Sequence, residues 1–290
     1  MLLFKHIDYR WPKSTQETIS QLCLRLEAGE WVALVGDNGA GKSTLLRLAA
    51  GLLRPTQGEI HFNHQKLASL NAIQRASQIG VLFQEVEKQV FHSRVKDEVA
   101  FGLKRQKLSQ SEIEKRTLEA LECCHLQDVA NSHPLDLDAG QRRMVAVASL
   151  SAISPKVLLL DEPTRDFDAR WLACFERWLA LQRTMGTTLL AISHDLDFVA
   201  RHFKRVIHLS AGKIIADGPP ETVLNHPDLQ PESVLPTPTL YSLSHALDIA
   251  LESDPKRWAD KFIRISREPI WLFSLNVISF YMVVDPWYQH

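Results

Sequence analysis

Apolar and polar residues alternate along the first 60 positions of the chain. Leu22, Leu24 and Leu26 are separated by polar neighbours, and Ile60 and Phe62 repeat this spacing further on. A period of two is typical of half-buried strands, and glycine- and proline-containing turns separate these segments. The pattern therefore predicts a β-rich N-terminal region.

Short continuous apolar runs, unlike alternating ones, predict strands that are buried on both faces. Such runs occupy residues 31–35, 79–83, 157–160 and 188–192. Helical spacing lies between them, and a hairpin is predicted over 206–216. Strands that alternate with helices predict a mainly parallel sheet, with ligand loops at the carboxyl ends of its strands.

Helical periodicity is clearest between about 93 and 135 and again near residue 175. Ser109 and Glu112 have the spacing of a capping box at the start of a helix. Trp171, Phe175 and Trp178 recur on one helix face, so we expect them to be core residues rather than ligand contacts.

The composition excludes few classes of function, but it bears on the partners and the cellular compartment of the protein. The 290 residues carry a net charge of −1, which implies no overall attraction to nucleic acid, and no nucleic-acid partner is expected. Charged residues interrupt the N-terminal segment, so it does not have the pattern of a signal peptide. The cysteines show no paired spacing and predict reduced thiols in the cytosol: Cys23, Cys123, Cys124 and Cys174.

The amino-acid composition changes after about residue 225. Four prolines occur between residues 227 and 238, which indicates a linker or an irregular wrap, and a helix is predicted near 242–251. The uncharged stretch 270–284 is 15 residues long, and as a helix would span only about 22 Å, less than the roughly 30 Å of a bilayer core. We interpret it as a packed or interfacial tail.

A glycine-rich segment after the first buried strand matches the phosphate-binding loop at each fixed position. Backbone amides of such a loop and of the helix after it cradle phosphate, the lysine adds a mobile cation and the serine hydroxyl ligates Mg²⁺. The predicted contacts to a nucleotide are Gly36, Asp37, Asn38, Gly39, Ala40, Gly41, Lys42, Ser43 and Thr44.

Two carboxylates end the third buried run. Asp161 and Glu162 directly follow the apolar residues 157–160, so in a parallel sheet they face the phosphate loop. This position allows Asp161 to hold Mg²⁺ through water and Glu162 to act as a base toward an attacking water.

With these motifs in this order, residues 1–225 resemble an ATP-binding-cassette (ABC) ATPase. The resemblance implies an α/β P-loop cassette with a parallel core sheet, an N-terminal antiparallel β-subdomain, an inserted helical subdomain at about 86–150 and a C-terminal extension, 226–290. It further implies that Gln84 contacts Mg²⁺ or the water, that His194 contacts the γ-phosphate, and that Trp11 stacks on adenine. Tyr9 is the second choice for the adenine contact, and either aromatic ring could instead pack on the sheet.

The run from Phe83 to Gly102, which includes a second glutamine, Gln89, resembles the energy-coupling-factor and cobalt-type ATPases. That resemblance implies a motor for uptake of a vitamin or metal ion, peripheral at the cytoplasmic face of the membrane and bound to an integral membrane subunit. A soluble or regulatory ABC ATPase is the alternative, although no sustained heptads or second cassette are present in this sequence.

The segment that is usually Leu-Ser-Gly-Gly-Gln in the family is here Leu137-Asp138-Ala139-Gly140-Gln141. In the family it faces the ATP bound by the opposite subunit, so Asp138, Gly140 and Gln141 are predicted nucleotide contacts. Asp138 can cap a helix as serine does, but its carboxylate would also face the phosphate anion.

The loop after Glu162 departs from the family as well. The usual small-Gly-Leu-Asp is replaced by residues 165–168, Arg-Asp-Phe-Asp. Both departures lie in segments that act on the opposite subunit's site, while the residues that act within the chain are intact. We therefore favour a heterodimer with a second ABC ATPase subunit over a homodimer.

Overall fold

The computed structural model describes residues 1–224 and 238–246 of the chain. Its strands are β1 (Leu2–Tyr9), β2 (Ile19–Leu26), β3 (Trp31–Val35), β4 (Gln57–Phe62), β5 (Gln65–Lys66), β6 (Ile79–Leu82), β7 (Val157–Asp161), β8 (Thr188–Ile192), β9 (Arg205–Ser210) and β10 (Lys213–Gly218). Its α-helices are α1 (Lys42–Ala49), α2 (Ala72–Gln78), α3 (Val95–Lys104), α4 (Gln110–Cys123), α5 (Ala139–Ile153), α6 (Ala169–Thr184), α7 (Leu196–His202), α8 (Pro220–Val223) and α9 (Thr239–Ala246).

The strands form two sheets. An antiparallel sheet has the order β2-β1-β4-β5, and a second sheet has the order β10-β9-β3-β8-β7-β6. Strands β9, β3, β8, β7 and β6 run parallel, and β10 closes the edge as the antiparallel partner of β9. The predicted fold class, an antiparallel subdomain beside a parallel core sheet, is confirmed.

Strand β3 shows why the buried runs lack alternation. Every one of its side chains is buried, because both faces of the sheet are covered. Ala33 and Val35 pack in the cluster that holds α5 and α6, while Val32 and Leu34 pack with α1 and the antiparallel sheet. Burying a valine or leucine side chain stabilises the fold by about 1.5–3 kcal/mol. Contacts on both faces of the sheet therefore stabilise β3.

Helices α3, α4 and α5 pack on one another between β6 and β7 in the chain. The Ser109 hydroxyl accepts from the Glu112 amide at 3.2 Å and caps α4, as predicted. The reciprocal half of the capping box is replaced, because the Glu112 carboxylate accepts from Arg116 Nε at 2.6 Å. The tryptophans of α6 are core residues as predicted, and Trp178 stacks on Phe175 with ring centroids 5.6 Å apart.

The predicted C-terminal helix begins earlier than expected, at Thr239. The end of that prediction, most of the proline-rich stretch and the apolar segment 270–284 lie outside the described residues. In the part of the chain that is described, no helix combines the length and apolarity needed to cross a bilayer. All four cysteines are free thiols.

Candidate nucleotide-binding site

A cavity of about 420 Å³ lies at the carboxyl ends of β3, β7 and β8. The strand order brings the phosphate loop, the two carboxylates and His194 to one edge of the sheet, although they are far apart in the sequence. The cavity is lined by Trp11, Thr18, Asn38, Gly39, Gly41, Lys42, Ser43, Thr44, Gln84, Asp161, Glu162, Ile192 and His194.

The phosphate loop is shaped by close backbone contacts. Gly36 has a φ of 141°, and a Cβ there would lie 2.0 Å from the Leu209 carbonyl oxygen, so only glycine fits. The Lys42 ammonium donates to the carbonyl oxygens of Gly36 at 2.5 Å and Asp37 at 2.8 Å. Burial lowers the pKa of Lys42, and the nearby carboxylates of Glu162, Asp37 and Asp161 oppose that shift.

Asp161 and Ser43 form the second part of the site. The Asp161 side chain is buried at the end of β7, and the Ser43 hydroxyl donates a hydrogen bond to it. Burial raises the pKa of Asp161, while the Ser43 hydrogen bond and Arg47 act in the opposite direction. Gln84 is exposed at the end of β6 and lines the same cavity, so oxygen donors from three segments meet here.

Glu162 has an unusual backbone and an incompletely paired carboxylate. Its φ is 49°, and its amide donates to the Ile192 carbonyl at 3.0 Å. Glu162 Oε2 accepts from the His194 amide at 3.2 Å, whereas Oε1 makes no hydrogen bond within the described residues and lies 3.5 Å from His194 Nε2. Burial raises the pKa of Glu162, and His194 partly offsets this. A positive φ is an uncommon backbone conformation for a residue that carries a side chain.

The two candidate adenine contacts have different surroundings. Trp11 is 36% exposed and lines the cavity, while Tyr9 is buried and packs edge-on against Trp11, with ring centroids 5.3 Å apart. Of these two aromatic rings, Trp11 is the one that a bound base can reach.

The start of α5 is separate from this cavity. Asp138 is exposed and its Oδ1 accepts from the Gln141 amide at 2.7 Å, so it is the N-cap of the helix. Gly140 is required by packing, because a Cβ there would lie 2.3 Å from Cδ1 of Trp171. Asp138, Gly140 and Gln141 are absent from the lining of the cavity in the described chain.

Sequence reasoning missed residues that carry no motif. Thr18 and Ile192 line the cavity, and Arg143 of α5 bonds to the loops behind it. Gln89 was noted only as part of a resemblance, but it has a local structural role. Its amide nitrogen donates to the Val81 carbonyl at 3.0 Å and its amide oxygen accepts from the Phe83 amide at 3.3 Å.

A larger cleft of about 810 Å³ lies at the opposite end of β3, among Trp31, Arg183 and Arg205. None of the phosphate-loop residues lines it. The nucleotide site is therefore assigned to the smaller cavity, where the loop amides, the lysine and the carboxylates converge.

A strand, a glycine-rich loop and a helix that begins at a buried lysine define a P-loop nucleotide-binding protein. Residues 19–165 match the family model described as ABC transporter. The chain is 34% identical over 271 residues to a putative ABC transporter ATP-binding protein of Methanosarcina acetivorans, an alignment that covers 91% of this chain and 83% of the relative. The chain belongs to the ABC transporter family.

Longer relatives exist as well. A putative ABC transporter ATP-binding protein of Photobacterium profundum is 32% identical over 251 residues, covering 86% of this chain but only 44% of that protein. The chain thus spans less than half the length of this relative.

Solved structures show the same cassette. CbiO1 of Clostridium perfringens, described as part of the ABC transporter complex CbiONQ, has a TM-score of 0.69 and 29% identity, covering 78% of this chain and 90% of that one. A dimeric ATP-binding cassette in a post-hydrolysis state, bound to ADP and Pi, has a TM-score of 0.67 and 27% identity, covering 76% and 98%. This chain is an ATP-binding ATPase subunit of an ABC transporter, and the predicted family and activity are confirmed.

Proposed function

We propose that the chain hydrolyses Mg-ATP to power an uptake transporter of the energy-coupling-factor type, with a vitamin or metal ion as cargo. The convergence of Lys42, Asp161, Glu162 and His194 on one cavity carries the hydrolytic part of the proposal. The likeness of residues 83–102 to cobalt-type ATPases and the fold shared with CbiO1 support the transport class.

The donor set suits Mg²⁺. The Ser43 hydroxyl, the Asp161 carboxylate and the Gln84 amide are hard oxygen donors at the phosphate end of the cavity. No cluster of three His, Cys, Asp or Glu side chains able to hold a metal ion occurs in the described residues, which fits an ion that is held largely by substrate phosphates and water. When bound, Mg²⁺ would neutralise charge on the β- and γ-phosphates.

The chain's own groups have distinct roles in this proposal. The Lys42 ammonium moves from its two carbonyl partners to the phosphates, and the loop amides from Gly36 to Thr44 hold the β-phosphate. Glu162 takes the proton of the attacking water through the oxygen that lacks a hydrogen bond, and His194 contacts the γ-phosphate. Trp11 stacks on the adenine ring.

The partner is a second ABC ATPase subunit whose signature segment is intact. Asp138, Gly140 and Gln141 face the ATP held by that partner, while this chain's own site is completed by the partner's signature. The observation that supports the asymmetry is the N-cap Asp138, whose carboxylate lies at the start of α5. The start of a helix attracts anions, so a negative charge there opposes the binding of the partner's phosphate.

A groove of about 540 Å³ beside Gln84 is proposed to receive the integral membrane subunit. It is lined by Phe83, Gln84, Glu85, Lys88 and Gln89 together with Arg47, and it meets the nucleotide cavity at Ser43 and Asp161, which line both. A subunit docked there would sense the ATP state through Gln84 and hold the cassette at the cytoplasmic face of the membrane. We propose domain bounds of 1–225 for the ABC ATPase domain, with its helical subdomain at about 86–150, and of 226–290 for the C-terminal extension, most of which lies outside the described residues.

A regulatory cassette that binds ATP without turnover is the second candidate. Asp138 favours it, because a carboxylate opposite the γ-phosphate would oppose closure of a dimer. The paired carboxylates and His194 favour turnover.

The test is purification of a tagged Glu162→Gln chain from detergent-solubilised native membranes in the presence of Mg-ATP. Loss of the base should trap the closed dimer, so we expect a second ABC ATPase with a Leu-Ser-Gly-Gly-Gln signature and an integral membrane protein to copurify. A matched chain that also carries Lys42→Ala should bind ATP about 100-fold more weakly or worse and lose the second cassette.

Two outcomes would contradict the proposal. Recovery of the tagged chain alone, or of ribosomes, would favour the soluble class. Recovery of only a second copy of this chain with the membrane protein would retain the transport function and exclude the heterodimer.

A further inference from the structure

Arg143 is a fully buried arginine outside the nucleotide cavity. It lies near the start of α5, five residues after the N-cap Asp138, and its exposed fraction is 0%. A buried guanidinium carries a large desolvation penalty unless its donors are paired. Its partners therefore indicate what it holds in place.

The partners of Arg143 belong to three loop segments. Arg143 Nη2 donates to the Gln84 carbonyl at 2.8 Å and Nη1 donates to the Glu162 carbonyl at 3.2 Å. Nη2 also lies 3.4 Å from Asp166 Oδ2. One rigid, planar fork thus joins the loop after β6, the backbone of the base and the following turn to α5.

Two of these partners have backbone conformations that side-chain-bearing residues rarely adopt. Glu162 has a φ of 49° and Asp166 a φ of 66°. The Glu162 amide is fixed by the Ile192 carbonyl and its carbonyl is fixed by Arg143. The direction in which the Glu162 carboxylate points depends on both bonds, since they hold the peptide groups on either side of its Cα.

We propose that Arg143 is a positioning residue for ATP hydrolysis, which couples α5 and the loop at Gln84 to the backbone of Glu162 and the turn at Asp166. The inference rests on the ATPase activity of the chain and not on the class of transporter. A shift of α5, or of the loop at Gln84, is transmitted through the guanidinium to the segment that carries the base.

Asp166 supports this arrangement without being essential to it. Asp166 Oδ1 also lies 3.6 Å from Arg165 Nε, and the Asp166 side chain is partly exposed. Replacement of Asp166 leaves the two carbonyl bonds of Arg143 in place, so the effect on the base should be smaller than that of replacing Arg143.

Hydrogen–deuterium exchange of the full chain, with and without the non-hydrolysable analogue AMP-PNP and Mg²⁺, tests the coupling. In the wild type we expect the nucleotide to slow exchange in both residues 36–44 and residues 162–168. In Arg143→Met we expect residues 36–44 to keep their response, while residues 162–168 exchange about tenfold faster and no longer respond. Arg143→Lys, which keeps one charged donor group, should restore part of the response.

Arg142→Met is the matched control, because Arg142 is on the same helix but bonds to Glu87 and to the Leu135 and Leu137 carbonyls. It should leave residues 162–168 unchanged. In an ATPase assay Arg143→Met should lower kcat about tenfold or more with little change in KM. Wild-type exchange at 162–168 in Arg143→Met would overturn the proposal. So would equal loss of the response at 36–44, since that would indicate general loosening of the fold.

Discussion

Two helix starts in this molecule have opposite electrostatic properties. Helix α1 begins at Lys42 after Gly41, with no side chain bonded to its first amides. Helix α5 begins after Asp138, whose carboxylate bonds to the Gln141 amide. Free amides and the helix dipole make the first an anion site, whereas a capping carboxylate satisfies a donor and adds negative charge at the second.

The comparison shows that a helix start is not by itself a phosphate site. At about 4 Å and an effective dielectric constant near 20, two like charges repel by about 4 kcal/mol before screening. A carboxylate at the start of α5 therefore matters far more in a dimer that brings phosphate to it than in the isolated chain.

Removal of the cation at α1 should have the largest effect. Lys42→Ala deletes the ammonium that bonds to the loop carbonyls and is available to two phosphate groups. Charge-assisted bonds contribute about 1.5–3 kcal/mol each, so we expect ATP affinity to fall by about 100-fold or more. Titration calorimetry measures it. Lys204→Ala, at an exposed lysine of the distant cleft, is the control, and equal affinity in both variants would reject the assignment of the cavity.

Replacement of the base should separate binding from turnover. In Glu162→Gln we expect hydrolysis to fall by about 100-fold or more, because a positioned general base contributes about 10²–10⁴, with ATP affinity almost unchanged. Steady-state phosphate release and calorimetry on the same preparation check both parts. Turnover near the wild-type rate would assign the base elsewhere.

Removing the negative charge at the start of α5 should raise ATP hydrolysis, whereas the two preceding substitutions lower binding or hydrolysis. Asp138→Ser keeps a capping oxygen and removes the charge, so we expect ATP hydrolysis by the chain on its own to rise about tenfold. Asp128→Ser is the control for loss of one negative charge, because Asp128 is exposed between α4 and α5 and does not line the nucleotide cavity. A wild-type chain that already turns over at full rate as a homodimer, with no gain in Asp138→Ser, would contradict the asymmetric dimer.

The pH dependence should be the smallest effect. Burial raises the pKa of Glu162, and only the ionised carboxylate can accept a proton. Turnover is therefore expected to decline on acidification at a higher pH than for an ordinary glutamate. The raised pKa also means that the folded state binds this proton more tightly than the unfolded state does, so the stability contribution of Glu162 grows as pH falls through that window. Thermal melting at several pH values gives the free energy of unfolding of the wild type and of Glu162→Gln, and the difference between the two isolates this contribution. If that difference did not change with pH, the raised pKa of Glu162 would be refuted.

The phosphate loop and the carboxylate pair could be predicted because their chemistry is local. Gly36 to Ser43 lie in one short turn, and Asp161 and Glu162 directly follow a buried strand. Trp178 was predictable as a core residue for a similar reason, since helical spacing alone places it on one face.

Other assignments needed the packing. Half of the capping box at Ser109 was wrong in detail, because Arg116 one turn along the helix competes for Glu112. Gln89 closes the end of β6 through two backbone bonds, which no pattern of residue types indicates.

The sequence by itself determined the P-loop ATPase class, the order of the strands along the chain and the unusual cap at Asp138, since each depends on residues close together in the chain. Only the tertiary structure decided that Thr18 and Ile192 complete the cavity and that the start of α5 lies apart from it. It also decided the bonds of Arg143 to loops 59 and 19 residues away. The physical reason is that contacts over such separations are set by how the sheets and helices pack, and the residue types at the two ends do not encode that distance.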